Sequence, residues 1–423
     1  MSRLKEYRFA DLYYISSGIS SKPEQAGHGF PFVSFSTIFN NHFLPDVLSD
    51  KMDTSPQEQE TYSVKKRDIL LTRTSETVDE LAMSCVADKD YPQATFSGFA
   101  KRLRPKTSGI AHHRYLAFYL RGKYFRQSIN NHSLMTLRAS FNEEIFKLLL
   151  LYLPEYEQQK SIGDFLYSIQ EKIKVNNAIN AELERLAKAI YEYWFVQFDF
   201  PNAEGKPYKS SGGAMTCSPT LKCEIPTGWR LDMLQDKLSL ERGVEPGSEA
   251  YLETLEEGYT PFIRVSDMGV IPALNIPSNI TAGKECKLDD VLVSFDGSVG
   301  RVAIAMSGAY SSGIRKIKAK DKDYTDALIY FIFQSEYIQK TIAKYATGSN
   351  ILHAASSIEH LAFPYDETVV KSYMERVEPM FRQIITNKIQ NRELAKIRDF
   401  LLPLLMNGQV TILDKGGMLS ENI

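Results

Sequence analysis

Long apolar runs are missing from this chain. No window of 18 or more apolar residues occurs in its 423 residues, so no membrane-spanning helix is expected. The opening stretch, MSRLKEYRFADLYY, lacks the apolar core of a signal peptide, and a cytoplasmic protein is the expectation. Cysteine is scarce as well. The four cysteines, Cys85, Cys217, Cys223 and Cys286, form no C-x-x-C pair and have no histidine nearby, which argues against a zinc site or a disulfide framework and leaves reduced thiols. Charge of one sign is not in excess either. Fifty Lys and Arg against 52 Asp and Glu give a net charge of -2, so any attraction for nucleic acid has to come from local charge distribution.

Catalytic signatures are also lacking. There is no G-x-x-x-x-G-K-[ST] phosphate loop, because Gly283-Lys284 runs into Glu285 without the upstream glycine. The string DGSVG, Asp296 to Gly300, is not a G-x-G-x-x-G and reads as a tight turn between two strands. Of the seven histidines, His112 and His113 are adjacent and His353 and His360 loosely spaced, so none forms a metal-spaced pair and all read as surface or polar-contact residues. Neither a D/N-P-P-Y/F signature of base methylation nor an acid pair followed by E-x-K is found. No catalytic residue, metal ligand or cofactor site is therefore assigned on this chain.

What the chain does have is one pattern written twice. Ile162, Leu166, Ile169, Ile173, Asn176, Asn180, Leu183, Ala187, Ile190 and Trp194 follow at alternating spacings of four and three. Adding 211 to each number gives Tyr373, Val377, Met380, Ile384, Asn387, Asn391, Leu394, Arg398, Leu401 and Leu405. A 3.5-residue repeat marks a helix that buries a narrow stripe against another helix, and asparagine on that stripe trades stability for fixed register. Pro154 and Pro364 stand at equivalent places before the two seams and favour a helix start there. Arg398 sits on the second seam where Ala187 sits on the first, and Pro403 is expected to kink or end the second helix early. Antiparallel pairing about a pseudo-twofold axis predicts Asn176 beside Asn391 and Asn180 beside Asn387, since both pairs of numbers have the same sum.

Around the two helices the length allows about three domain-sized pieces. Residues 1–153 mix short β-like runs (Phe30 to Phe35, Asp68 to Thr72, Leu81 to Val86) with a helical stretch near Tyr115 to Ile129. A long helix occupies 154–198, and a Gly-, Pro- and Ser-rich linker 199–228. A second α+β region covers 229–364, a second long helix 365–410, and a tail 411–423. Landmarks recur between the two α+β regions: PFVSFS at Pro31 and PFIRVS at Pro261, RDILLT at Arg67 and DDVLVS at Asp289, SGFAK at Ser97 and SGIRK at Ser312. The chain is one unit used twice.

Charge is uneven in these regions. From Ser97 to Arg126 there are Lys101, Arg102, Arg104, Lys106, Arg114, Arg121, Lys123 and Arg126 without one Asp or Glu, interleaved with His112, His113, Tyr115, Tyr119 and Tyr124. The matching stretch of the second region holds Arg315, Lys316, Lys318, Lys320 and Lys322 against Asp321. Two readings stand side by side: a solvated charged face, or a basic face whose phosphate contacts position a reader on a duplex. On the second reading Lys101, Arg102, Arg104, Arg315, Lys316 and Lys318 are phosphate contacts. Arg67, Arg73 and Arg138 in the first region, with Arg264, Arg301 and Asn350 in the second, are then the candidates for base readout.

With both units in view, the chain resembles the specificity subunit of a type I restriction-modification system over essentially its full length. The resemblance is carried by LPEYEQQKSIGDFLYSIQEKIKVNNAINAELERLAKAIYEYWF (Leu153 to Phe195), FPNAEGKPYKSSGGAM (Phe200 to Met215), PTGWR, DDVLVSFDGSVG and a helix ending LLPLLMNGQV. It implies an α+β fold: two pseudo-repeated α/β target-recognition domains separated by two long antiparallel coiled-coil helices. It further implies a non-catalytic reader of double-stranded DNA, each domain reading one half of a split, asymmetric site. Two modification subunits would dock on the helices and methylate adenine with S-adenosylmethionine, and ATP- and magnesium-dependent restriction subunits would join them, all cofactors lying on those partners and none on this chain. RTSETVDEL in the first region departs from the pattern, replacing the glycine turn of FDGSVGRVA. A reader working with a methyltransferase alone, and a two-repeat scaffold without DNA binding, are the alternative readings.

Overall fold

The computed structural model describes residues 4–20, 22–75, 80–132, 139–320, 322–349, 351–412 and 419–421. Its two longest helices are Tyr156–Tyr191, of 36 residues, and Glu367–Met406, of 40 residues. At 1.5 Å per residue the first extends about 54 Å, and it closes in a π-helical turn, Glu192–Val196. The chain forms two compact units, residues 1–172 with 394–423, and residues 173–393. Each unit therefore holds one α+β region and a stretch of each long helix.

The helix starts have local causes. The strand Leu150–Leu153 runs into Pro154, which lacks an N–H, and the helix begins two residues later. Pro364 is not a helix-start residue: it lies in the strand Ala362–Tyr365, one of a two-stranded pair, where a missing donor is tolerated. The start there is set by Asp366, whose Oδ1 accepts from the Val369 N–H at 3.0 Å. Pro403 does not end the second helix, which continues to Met406. Burial of Leu401 and Leu405 on the seam to either side holds those turns despite the missing donor.

The heptad stripe is the buried one. In the second unit Asn176, Asn180 and Ala187 from one helix, and Tyr373, Val377, Ile384 and Asn387 from the other, are all buried. In the first unit Ile162, Leu166 and Ile169 are buried, as are Leu401 and Leu405. Arg398, the charge on the seam, turns its Nη1 onto Gln170 Oε1 at 3.0 Å and its Nε onto Asp399 at 2.8 Å, so the charge is not left unpaired.

Each α+β region is built on the same sheet. In the first unit Tyr13–Ser17, Ala100–Pro105, Ile69–Thr72 and Ser84–Val86 lie side by side, all antiparallel. In the second the order is Leu238–Arg242, Ile314–Ala319, Val291–Ser294 and Val302–Ala303, again antiparallel. The apolar runs Ile69-Leu70-Leu71 and Val291-Leu292-Val293 are buried on both faces, as unbroken rather than alternating patterns require. A second sheet in each unit places Ala26–Val33, or Tyr259–Ile263, parallel to the strand that precedes the SG landmark. The stretch read as linker contains a hairpin, Met215–Ser218 with Cys223–Pro226, too short to show periodicity in the sequence.

Candidate nucleic-acid interface

The sheets fix how the two regions correspond. Leu103 faces Ile69 in the first sheet and Ile317 faces Val291 in the second, so the basic strands align at an offset of 214. The SG landmarks put the offset at 215; the loop between landmark and strand absorbs the difference. Lys101, Arg102 and Arg104 thus correspond to Arg315, Lys316 and Lys318.

That alignment explains why basic residues recur. Asp68 is fully buried, and its Oδ2 accepts from the Lys65 N–H at 2.8 Å. Arg104 forks onto the same carboxylate, Nε to Oδ1 at 2.8 Å and Nη2 to Oδ2 at 2.6 Å, which raises the guanidinium pKa. In the second unit Asp290 accepts from the Lys287 N–H at 2.8 Å and pairs with Lys318. The same ion pair, a buried carboxylate with a partly exposed cation, stands in both units, with Arg in the first and Lys in the second.

The neighbouring cations also turn inward. Lys101 is buried, which lowers its pKa, and gives its Nζ to Ser17 Oγ at 2.8 Å. Arg102 reaches the Ser63 carbonyl at 2.5 Å and lies against Phe96. Arg315 donates to the Ser312 carbonyl and stands 3.5 Å from Asp296. Lys316 bonds the Glu285 carbonyl at 3.0 Å and Glu241 at 3.1 Å. Further along the run, Arg114 bridges Asp88 and Asp164, while Arg121 donates to four backbone carbonyls. Much of the expected basic face is therefore internal wiring. His112 and His113, read as surface or polar-contact residues, are buried, and His113 makes its polar contact with Asp88 at 2.7 Å.

The candidates for base readout divide. Arg138 and Asn350 lie outside the described residues. Arg67 is exposed in a turn at φ 74°. Arg264 forks onto Asp267, at 2.9 Å and 3.2 Å, in its own 3₁₀ turn. Arg301 clamps the carbonyls of Val265 and Met268 at 2.7 Å and 2.8 Å. Arg73 is exposed.

Arg73 and Arg301 each line an open cleft, and the two clefts occupy the same place in their units. In the first unit a hollow of about 330 Å³ is bounded by Ile19, Ser20, Arg73, Thr74, Ser97, Gly98 and Phe99. In the second a hollow of about 440 Å³ is bounded by Val244, Glu245, Val265, Asp296, Arg301, Ser312 and their neighbours. Backbone hydrogen bonds match around both: Ile19 N–H to Phe96 at 2.9 Å and Val244 N–H to Tyr310 at 2.9 Å, Arg73 N–H to Phe99 at 2.7 Å and Phe295 N–H to Gly313 at 2.9 Å. A glycine immediately precedes the first lining residue of each cleft, and nothing larger fits there. A Cβ on Gly18 would stand 2.2 Å from the Ser97 carbonyl oxygen, and one on Gly243 2.1 Å from that of Tyr310.

The frame is shared but the side chains are not. The first cleft presents a cation and an aromatic ring, Arg73 and the 64% exposed Phe99. The second presents Glu245 and Asp296, the latter held by His353 at 2.7 Å. Sequence reasoning missed Ser20, Phe99 and Glu245. The glycines two residues before Ser20 and Glu245 were the available signal. Among the described residues no group of three or more His, Cys, Asp or Glu is placed to hold a metal ion, and no helix is long and apolar enough to cross a membrane.

The chain thus holds an α+β region built twice, two long helices and one polar cleft in each region. Residues 2–185 match the family described as type I restriction modification DNA specificity domain. Beyond that stretch the chain is similar to type I restriction enzyme specificity subunits. It is 23% identical to the HindI specificity subunit of Haemophilus influenzae, over 97% of this chain and all of that protein. It is 25% identical to the MjaIX specificity subunit of Methanocaldococcus jannaschii, over 77% of this chain and 75% of that one. The type I restriction-modification S subunit from M. genitalium shares the fold, with a TM-score of 0.61 at 13% identity over 96% of both chains.

Proposed function

We propose that this chain is the non-catalytic DNA specificity subunit of a type I restriction-modification complex, reading a bipartite, asymmetric site in double-stranded DNA. The observation that carries the reading is the pair of clefts: one backbone frame, built twice, with different side chains at matching places. A reader made this way binds two half-sites by the same approach and takes a different sequence from each. The inward-turned cations leave Arg73 as the cleft residue suited to a guanine edge in the first half-site, with Arg301 holding the loops of the second cleft in shape. The asparagine pairs fix helix register and with it the gap between half-sites. Two modification subunits docked on the helices supply adenine methylation with S-adenosylmethionine, and restriction subunits supply ATP- and magnesium-dependent cleavage.

The test is selection from a random-sequence duplex library by the full chain co-expressed with its methyltransferase partner. A motif in two parts with a fixed gap is the expected result. Enrichment of nothing at low salt, by an intact complex, would overturn the reading in favour of a scaffold.

A further inference from the structure

We propose that Glu245 is a specificity-determining residue of the second unit, its carboxylate accepting a hydrogen bond from the exocyclic amine of one base, cytosine N4 or adenine N6. This rests on the proposed reading of the clefts as DNA-facing. Glu245 is 77% exposed at the cleft edge, one residue beyond the bridge between Val244 and Ser311 that fixes the local backbone. Gly243 locks the loop from the other side through its close approach to Tyr310.

The carboxylate is oriented but not consumed. Its Oε2 accepts from Ser312 Oγ at 3.0 Å, with the Arg242 guanidinium 3.8 Å away. A carboxylate oxygen has two lone-pair sites, so capacity to accept remains. Asp296, the other acid of the cleft, is already engaged by His353 and Arg315 and does not offer the same.

Charge decides what such a group can face. An exposed carboxylate repels phosphate, so in a cleft that meets DNA it is tolerated only toward base edges, where Asp and Glu accept from exocyclic amines. The corresponding position of the first unit is Ser20, at the offset of 225 that relates Ile19 to Val244. The difference in charge at this matched position separates what the two units read.

The experiment repeats the library selection with the methyltransferase complex of the wild-type chain, Glu245→Ala and Glu245→Gln. For Glu245→Ala the expected result is loss of preference at one base pair of one half-site, by roughly 5- to 150-fold, with the other half-site and the gap unchanged. Binding to unrelated DNA should hold or strengthen, since a negative charge is removed. Glu245→Gln, nearly isosteric, should shift that position toward adenine, whose N6 and N7 suit an amide. A bipartite wild-type motif left intact by both variants overturns the inference alone. A wild-type complex that selects no motif overturns the inference together with the reading beneath it.

Discussion

Asn387 donates from Nδ2 to Oδ1 of Asn180 at 2.8 Å within the buried helix seam of the second unit. One turn along, Asn176 donates to Asn391 Oδ1, also at 2.8 Å. A buried amide is costly without its partner, whereas removal of both members leaves an apolar seam. Asn387→Leu is expected to destabilise the chain by about 1–3 kcal/mol, and adding Asn180→Leu to recover most of that. Urea unfolding of the two single variants and the double variant checks it. Additive losses would show that the amides act independently.

The Asp68–Arg104 pair gives a second expectation. Removing one partner strands a charge, so Asp68→Ala should cost about 3–5 kcal/mol, while Asp68→Leu with Arg104→Leu should cost much less. In the second unit, Lys318→Arg should be tolerated, because Arg104 fills the matching place in the first. Thermal unfolding of each variant gives the comparison. A mild Asp68→Ala would show that water takes the place of the carboxylate beside Arg104.

The first unit should lose stability in mild acid. Burial, with Arg121 adding to it, pushes His42 down to about 3, and burial with His113 pushes His112 down to about 4. Both are neutral in the folded chain at pH 5, while the same histidines unfolded take up protons below about 6.5. Unfolding is then coupled to proton uptake, so stability is full above about 6.5 and falls as the pH drops toward 4. Unfolding free energy measured between pH 7 and pH 4.5 should decline, and His42→Gln should flatten the slope. A pH-independent wild type would contradict the burial argument.

Gly18→Ala and Gly243→Ala should each disorganise one cleft, because the new methyl meets a carbonyl oxygen at little more than 2 Å in either unit. Selection from a duplex library should then lose one half-site and keep the other, a different half for each variant. Loss of both halves from a single substitution would mean that the clefts do not read independently.

Arg73→Ala is expected to weaken preference at one position of the first half-site by about 1–3 kcal/mol. A phosphate contact in its place would lower affinity for every sequence and reduce the salt dependence. Binding titrations across salt concentrations, on matched and mismatched duplexes, separate the two outcomes.

The sequence by itself determined the helices, their register and the duplication. A 3.5-residue stripe is a local pattern, and asparagines at equal positions of two such stripes leave one antiparallel match, so burial and pairing followed from spacing. The doubly buried strands were legible for the same reason, as unbroken apolar runs at matched landmarks. What only the tertiary structure decided was the fate of the charges. A lysine or arginine in sequence carries no record of which carboxylate faces it: Asp68 and Arg104 are 36 residues apart and meet only because their strands pair. The clefts were hidden likewise, since Ser20, Arg73 and Phe99 come from three separated loops that only the sheets bring to one edge. Periodicity is written in neighbouring residues, whereas electrostatic partnership and concave surface arise from long-range packing.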